Sequence, residues 1–350
     1  MILDSLPTDS LKRYPGIDIF RGVAIFTMLM ANSAAESLAA PHAYWIRVLG
    51  SFAAPIFVFL AGFMVAIGSR KHDTAYIFRR ALEIIVVAAL IDIFIWGIVP
   101  FTTFDVLYLT ALGIPVARLL MNTKLPIQIA VAMVMMLLGP TLQMFAGYRE
   151  NVSEFGLGEL STTVWPDGFS WWVRSLFIDG WFPVFPWMGI LILGAIVAKH
   201  GAFIIRNANT NIALGLTSFF AGIIWLFFYR PIAEREGYSE LFYPPGFAYI
   251  LAALGAVLVG VACMKYLKAG HGLQIFRWLG ACSLFIYIFH SVLIRFVLDE
   301  YYVALPFGEY VLVYAVLTVV NVAFAFLFFQ LKQKIWWKKL PQVVRFVFGG

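Results

Sequence analysis

Residues 16–34 read GIDIFRGVAIFTMLMANSA, and this stretch decides the fold. Apart from Asp18 and Arg21 near its start and Asn32 near its end, it is almost entirely apolar or small. A helix needs about 20 such residues to cross the hydrocarbon core of a bilayer, where unpaired backbone groups find no hydrogen-bond partner. The stretch therefore predicts a membrane-spanning helix over about 17–36.

The composition of the whole chain points the same way. It has 350 residues, a mean hydropathy of +0.88 and 13% charged residues, whereas soluble domains average about 25%. We predict an all-α, polytopic membrane protein with a single transmembrane domain over 1–350. The pI near 9.2 reflects basic loops, and we expect no nucleic-acid partner. We also expect no removable signal peptide, no disulfide framework from Cys263 and Cys282, and no metal site.

Ten apolar runs are long enough to be membrane helices. They cover about 17–36, 48–68, 81–99, 104–121, 125–145, 181–198, 211–229, 245–264, 276–298 and 309–331. An external loop over 146–180, rich in Trp, Pro and Gly, is the one long connection. A basic tail over 332–350 is expected to lie on the inner membrane surface and contact lipids.

The distribution of positive charge predicts the orientation. With ten spans and the N-terminus inside, 19 of the 25 Lys and Arg residues lie on the cytoplasmic side and 6 on the outer side. Short cytoplasmic loops carry an excess of Lys and Arg. We therefore predict both termini in the cytoplasm and a location in the cell (inner) membrane.

Polar groups from four spans or their ends fall at one predicted depth, in the outer half of the membrane. At ~1.5 Å per residue, Asn32 lies ~21 Å above the start of span 1, and Asp92 and His290 lie at a similar height in their own spans. His42 and Asp179 lie in outer loops next to that level. Ionisable groups at such depths tend to mark function, although each could instead satisfy a buried hydrogen bond.

The inner side is basic. Asp18 and Arg21 share one face of the first helix, because they are three residues apart. The predicted cradle for a phosphorylated ligand consists of Arg21, Arg79, Arg80, Arg118 and Lys124. Topology determination and contact with lipid phosphates are the simpler interpretation of the same charges.

Several motifs occur in an order that resembles a known family. The first helix combines Asp18, Arg21, Gly22 and Asn32, with His42 ten residues after the Asn. PIFVFLAG over 55–62, DGWFPVFPWMGILILG over 179–194 and LGACSLFIYIFHSVL over 279–293 follow. Together they resemble the transmembrane acyltransferases of the heparan-α-glucosaminide N-acetyltransferase type. YeiB-like proteins and acyltransferase family three share a similar helix layout.

The resemblance implies transfer of an acetyl group from cytosolic acetyl-CoA to a sugar-type acceptor on the external side. It gives His42 the catalytic role and Asn32 an assisting one. We add Asp179 and His290 as candidate site residues from their depth. His42 could act as a general base or accept the acetyl group transiently, and the sequence leaves both routes open.

Other questions stay open at this stage. Many relatives carry an acidic residue just before the PIFVF helix, where this chain has Ala53 and Ala54, and the Gly-rich stretch that can follow the Asn is SAAES here. The acceptor, O- or N-acetylation and oligomerisation are therefore not fixed. A proton-coupled transporter is the alternative, because intramembrane Asp and His also build proton relays. The two halves of the chain show no internal repeat of the kind that many transporters have.

Overall fold

The computed structural model describes residues 14–150, 156–157, 172–229, 235–267, 270–334, 337 and 339–347. Within these ranges the regular structure is helical, and β pairing is limited to isolated bridges such as Leu38 with Leu305. The predicted all-α class is thus confirmed. Much of the predicted external loop, and part of the basic tail, lie outside the described residues.

Fourteen helices are named along the described chain. They are α1 Pro15–Ser37, α2 Tyr44–Gly50, α3 Ala53–Gly68, α4 Thr74–Ile91, α5 Val106–Leu120, α6 Leu125–Ala146, α7 Val184–His200, α8 Ala202–Arg206, α9 Ala208–Tyr229, α10 Phe247–Cys263, α11 Gln274–Ala281, α12 Ser283–Leu293, α13 Phe307–Leu331 and α14 Gln342–Val347. Three π-helical turns occur at Asp92–Trp96, Ser175–Asp179 and Ile294–Leu298, the first and last continuing α4 and α12.

Every predicted span coincides with helix, but length and composition support only some of them as crossings. Five described helices are long and apolar enough to cross a bilayer, and up to seven if each of two bent pairs is one span. Val106–Leu120 and Phe247–Cys263 are shorter apolar helices. The chain is therefore a helical membrane protein, while the count of ten spans and the location of the termini stay predictions.

Two of the predicted spans are broken helices. The span predicted over 276–298 divides at Cys282, where α11 and the α12 segment meet at 87°. The span predicted over 181–198 begins at Val184, and the helical segment Trp172–Asp179 precedes it at an angle of 51°. Pro183 and Pro186 indicate in the sequence that the second of these spans is broken at its start. Hydropathy reports where a segment is apolar and not where its axis turns, so it gives no sign of the bend at Cys282.

Close backbone contacts fix α1 against α11. A Cβ atom added at Gly22 would lie 1.8 Å from the carbonyl oxygen of Phe276, and one added at Gly280 would lie 1.8 Å from that of Asp18. Small residues permit such approaches between helices in membranes. Because α12 follows α11 directly, this contact helps to set α12 beside α1.

Candidate active site

A cavity of about 880 Å³ follows one face of α1. At the start of the helix its wall includes Tyr14, and at the end it includes Glu36. Twenty-two residues separate these two positions, which corresponds to about 33 Å of helix. The hydrocarbon core of a bilayer is ~30 Å thick. The cavity therefore extends along the length of α1, and its two ends can hold different ligands.

The end of the cavity near the start of α1 is basic. The side chains that give it this character are Arg21, Lys71, His72 and Arg80. The Arg21 guanidinium lies 4.0 Å from Asp18, and its Nη1 donates to the carbonyl oxygen of Gly280 at 3.4 Å. Arg80 Nη1 donates to Glu83 at 3.0 Å. Guanidinium groups are suited to phosphate, so this end can receive an anionic ligand.

Two of the five predicted cradle residues, Arg21 and Arg80, line the cavity, and the other three are not among its described wall residues. Arg79 is 54% exposed and lies 3.7 Å from Glu83. Arg118 Nη1 donates to Asn122 at 3.1 Å. Lys124 is exposed just before α6. Arg79 on α4, Arg118 on α5 and Lys124 before α6 therefore do not join Arg21 and Arg80 on the described cavity wall.

Near the other end of the cavity, Asn32 and His290 meet. Asn32 Nδ2 lies 3.0 Å from Nε2 of His290, and Nδ1 of the imidazole lies 3.0 Å from the carbonyl oxygen of Ile286. Since a carbonyl only accepts, Nδ1 of the neutral ring carries the proton and Nε2 accepts from Asn32. Asn32 lines the cavity, and its amide has a second N–H and an oxygen besides the N–H that is directed at His290.

Carboxyl groups surround this second end. The acidic side chains on this part of the cavity wall are Glu36, Asp92, Asp105, Glu236 and Glu240. Asp92 accepts a hydrogen bond from the Tyr108 hydroxyl at 2.5 Å. Asp105 accepts one from the Tyr287 hydroxyl, one helical turn before His290. The cavity thus changes from basic to acidic along its length.

His42 is buried beside this end but is not among the described wall residues. Its Nε2 lies 3.1 Å from the carbonyl oxygen of Leu38, and its Nδ1 lies 2.8 Å from Oγ of Ser239. In the neutral ring, Nε2 therefore donates to Leu38 and Nδ1 accepts from the Ser239 hydroxyl. Both nitrogens have partners, and the role that the resemblance gives His42 stays a prediction.

Asp179 is fully buried among arginines. Arg149 and Arg174 donate to its two carboxylate oxygens at 2.5 and 2.6 Å. Its backbone carbonyl accepts from Arg235 at 2.6 Å. Burial alone would raise the pKa of Asp179, but the hydrogen bonds from Arg149 and Arg174 outweigh burial and hold this pKa below its usual value. Asp179 does not meet Asn32 or His290 in any described contact, and its partners make it an anchor for the helical turn Ser175–Asp179 that it ends.

The segment 235–246 between α9 and α10 holds a wall residue that sequence reasoning missed. Glu240 is 5% exposed and lines the cavity. Burial raises its pKa to about 7, against smaller opposing effects of a backbone hydrogen bond and of Arg47. The sequence REGYSELFYPPG over 235–246 gave a signal, because it places charged and aromatic residues together between two apolar runs.

We compared the sequence with protein-family models and with curated proteins. The family model described as heparan-alpha-glucosaminide N-acetyltransferase, catalytic, matches residues 13–229. The matched part contains the side chains of the basic end of the cavity, together with Asn32, His42 and Asp179. The family supports a membrane acetyltransferase type of function and does not favour the transporter alternative. No curated protein matches the chain. Because the match covers more than half of its 350 residues, the chain belongs to the heparan-alpha-glucosaminide N-acetyltransferase catalytic family.

Proposed function

We propose that the protein transfers an acetyl group from acetyl-CoA to a sugar-type acceptor, with the donor entering at the basic end of the cavity. The observation that carries this proposal is the continuous cavity itself, basic at the start of α1 and acidic at its end. The phosphates of CoA fit the arginines, and the acceptor meets the acetyl group beside Asn32.

The distance between the basic end of the cavity and Asn32 supports this placement of the donor and the acceptor. Arg21 and Asn32 are 11 residues apart on α1, which is about 16 Å along the axis. An extended pantetheine arm bridges a gap of this order. A CoA whose phosphates contact Arg21 and Arg80 therefore presents its thioester near Asn32.

Asn32 is proposed to stabilise the reaction's developing negative charge. Attack on a thioester carbonyl turns its oxygen into an oxyanion, and a preorganised N–H donor nearby lowers the barrier. One Asn32 N–H is directed at His290. The second can donate to the oxyanion, with His290 acting as a positioning residue that fixes the orientation of the amide.

The charge asymmetry of the loops supports the proposed direction of transfer. With the basic end of the cavity on the cytoplasmic side, cytosolic acetyl-CoA serves as the donor and the acceptor is external. His42 serves as the base only if its Nδ1 releases the Ser239 hydroxyl, because Nε2 carries the ring proton that is donated to Leu38. The proposed location is the cell (inner) membrane, with lipids around the helices and the oligomeric state open.

The test is acetyl transfer by purified protein. Acetyl-CoA labelled in the acetyl group is incubated with glycosides that carry a free amine and with matched glycosides that carry only hydroxyls. We expect label on at least one of these acceptors, and which set reacts decides between N- and O-acetylation. Folded protein that binds no acetyl-CoA and labels neither set would contradict the proposal.

A further inference from the structure

The segment 235–246 is held against α1 and α2 by contacts that set the position of Glu240. The Ser239 hydroxyl is bonded to His42, and the Ser239 carbonyl accepts from Arg47 Nε at 2.7 Å. On the other side of Glu240, the backbone N–H of Leu241 donates to Ser51 Oγ at 2.7 Å. Glu240 is thus fixed by hydrogen bonds to the residue before it and the residue after it.

These contacts place Glu240 next to the level of Asn32. A Cβ atom added at Gly50 would lie 2.9 Å from Cβ of Ala31 and 3.8 Å from Cγ of Glu240. Both atoms therefore lie within 4 Å of one point beside Gly50, which places the Glu240 side chain close to the residue that precedes Asn32. Both Glu240 and Asn32 line the cavity.

One oxygen of the Glu240 carboxyl, Oε2, is buried without a hydrogen-bond partner in the structure. A buried carboxylate oxygen without a donor is costly, and proteins keep such groups mainly where a ligand or a reaction uses them. The charged or titratable groups that face Glu240 are Arg47 on α2, Tyr249 on α10 and Tyr243 in its own segment. The carboxyl is therefore available to a molecule inside the cavity.

We propose that the Glu240 carboxylate takes the proton from the acceptor as the acceptor attacks the thioester. This inference rests on the proposed acetyl transfer. The acceptor's O–H or N–H proton moves to Glu240, and its oxygen or nitrogen forms a bond to the acetyl carbon. The carbon–sulfur bond breaks, and the released CoA thiolate recovers the proton. His42 then serves as a positioning residue that holds Glu240 through Ser239.

A base must be unprotonated to act, and the pKa near 7 makes Glu240 suited to this at neutral pH. Transfer by the wild-type protein should rise with pH, with the midpoint of the rise near 7. Glu240→Gln keeps the shape of the side chain and removes the base. We expect transfer to fall by about 10²–10⁴-fold, the usual contribution of a positioned acid or base, and the rise with pH to disappear. Acetyl-CoA affinity should be unchanged.

Two further variants separate this role from a structural one. Glu309→Gln removes an exposed carboxylate at the start of α13 and should keep the wild-type rate and pH profile. Arg47→Gln removes the guanidinium that favours the ionised form of Glu240, so the midpoint of the pH profile should move upward. Arg47→Lys keeps the charge and should shift the midpoint less.

Each outcome decides the proposal. A folded Glu240→Gln protein that keeps the rate or the pH-dependent rise would overturn the role of Glu240 while leaving acetyl transfer intact. If Glu240→Gln does not fold, an unchanged midpoint in Arg47→Gln would overturn it and an upward shift would support it. Wild-type protein that labels no acceptor would remove the proposed function and this inference with it.

Discussion

Asn32 and His290 lie 258 positions apart in the chain, and yet the Asn32 amide nitrogen is 3.0 Å from Nε2 of His290. Their contact joins the end of the first helix to α12. It also joins the part of the chain that the family model matches to a part beyond residue 229. A functional role for this pair therefore depends on the fold of the whole domain.

The first prediction concerns this pair. Asn32→Ala should slow acetyl transfer by about 10²–10³-fold, as expected for the loss of an oxyanion donor. His290→Ala should slow it by less, because His290 only orients the amide. Single-turnover rates of both single variants and of the double variant measure the coupling between them. Effects that simply add would show that the two side chains act independently.

The sequence predicted the depth of this pair and could not predict its closeness. Depth follows from counting residues along each helix. Lateral proximity depends on the packing of α1 against α11 through Gly22 and Gly280, and on the 87° bend after α11. Neither feature leaves a trace in hydropathy.

A second prediction concerns the donor. Arg21→Gln and Arg80→Gln should each weaken acetyl-CoA binding, and the loss should be larger at low salt, where phosphate attraction is least screened. Arg206→Gln, which removes an exposed charge on α8 away from the cavity wall, is the control. Binding can be followed by calorimetry in detergent at two ionic strengths. If Arg21→Gln and Arg80→Gln bind acetyl-CoA as tightly as the control Arg206→Gln, then Arg21 and Arg80 only determine membrane topology and do not hold the donor.

The three other predicted cradle residues test whether the whole basic set binds the phosphates of the donor. Arg79, Arg118 and Lys124 are not on the described cavity wall, so their neutralisation should change acetyl-CoA affinity less than that of Arg21. Charge counting placed all of them on one side of the membrane. It could not distinguish side chains that enter a cavity from those that face water or lipid headgroups.

The third prediction uses the buried Asp179. The pKa of its carboxyl is held low mainly by hydrogen bonds from Arg149 and Arg174, which outweigh the effect of burial. Its ion pairs therefore stabilise the fold fully at pH values above the usual pKa of an Asp carboxyl. This contribution is lost as the pH falls through the lowered pKa of Asp179. Melting temperatures from neutral pH to about 3 should fall less steeply for Asp179→Asn than for the wild type.

At neutral pH, Asp179→Asn should also melt well below the wild type, because removing one partner of a buried pair costs up to about 3–5 kcal/mol. The side chains of Arg149 and Arg174 are 27% and 34% exposed, which reduces the expected loss. Asp299→Asn breaks an exposed ion pair with Arg295 and should cost about 1 kcal/mol or less. Equal melting temperatures for the two variants would contradict the anchoring role.

Glu240 and His42 show where reasoning from the sequence reached its limit. His42 was singled out by motif spacing, and the structure gives both of its nitrogens partners outside the cavity wall. Glu240 lies in an irregular segment, where no helical period predicts which side chains turn inward. Its position depends on its neighbours Ser239 and Leu241, which are hydrogen-bonded to Arg47 and Ser51 across 192 and 190 positions of the chain.

The fourth prediction concerns topology and rests on the excess of positive charge on one side. A reporter fused after Gly350 should be cytoplasmic, and a reporter inserted in the loop 146–180 should be external. Reporter activity in intact cells and in permeabilised cells distinguishes the two locations. Finding both reporters on one side would contradict the ten-span arrangement.

The central claim is that one cavity brings a donor from the basic end to an acceptor at the Asn32 end. Its most direct test is a sided assay in sealed proteoliposomes of defined orientation. Labelled acetyl-CoA, which does not cross the bilayer, is supplied at the basic face, and a membrane-impermeant glycoside acceptor is supplied at the opposite face. We expect labelled acceptor in this arrangement and a strong loss of label with Asn32→Ala. Transfer only when donor and acceptor share one face would contradict it.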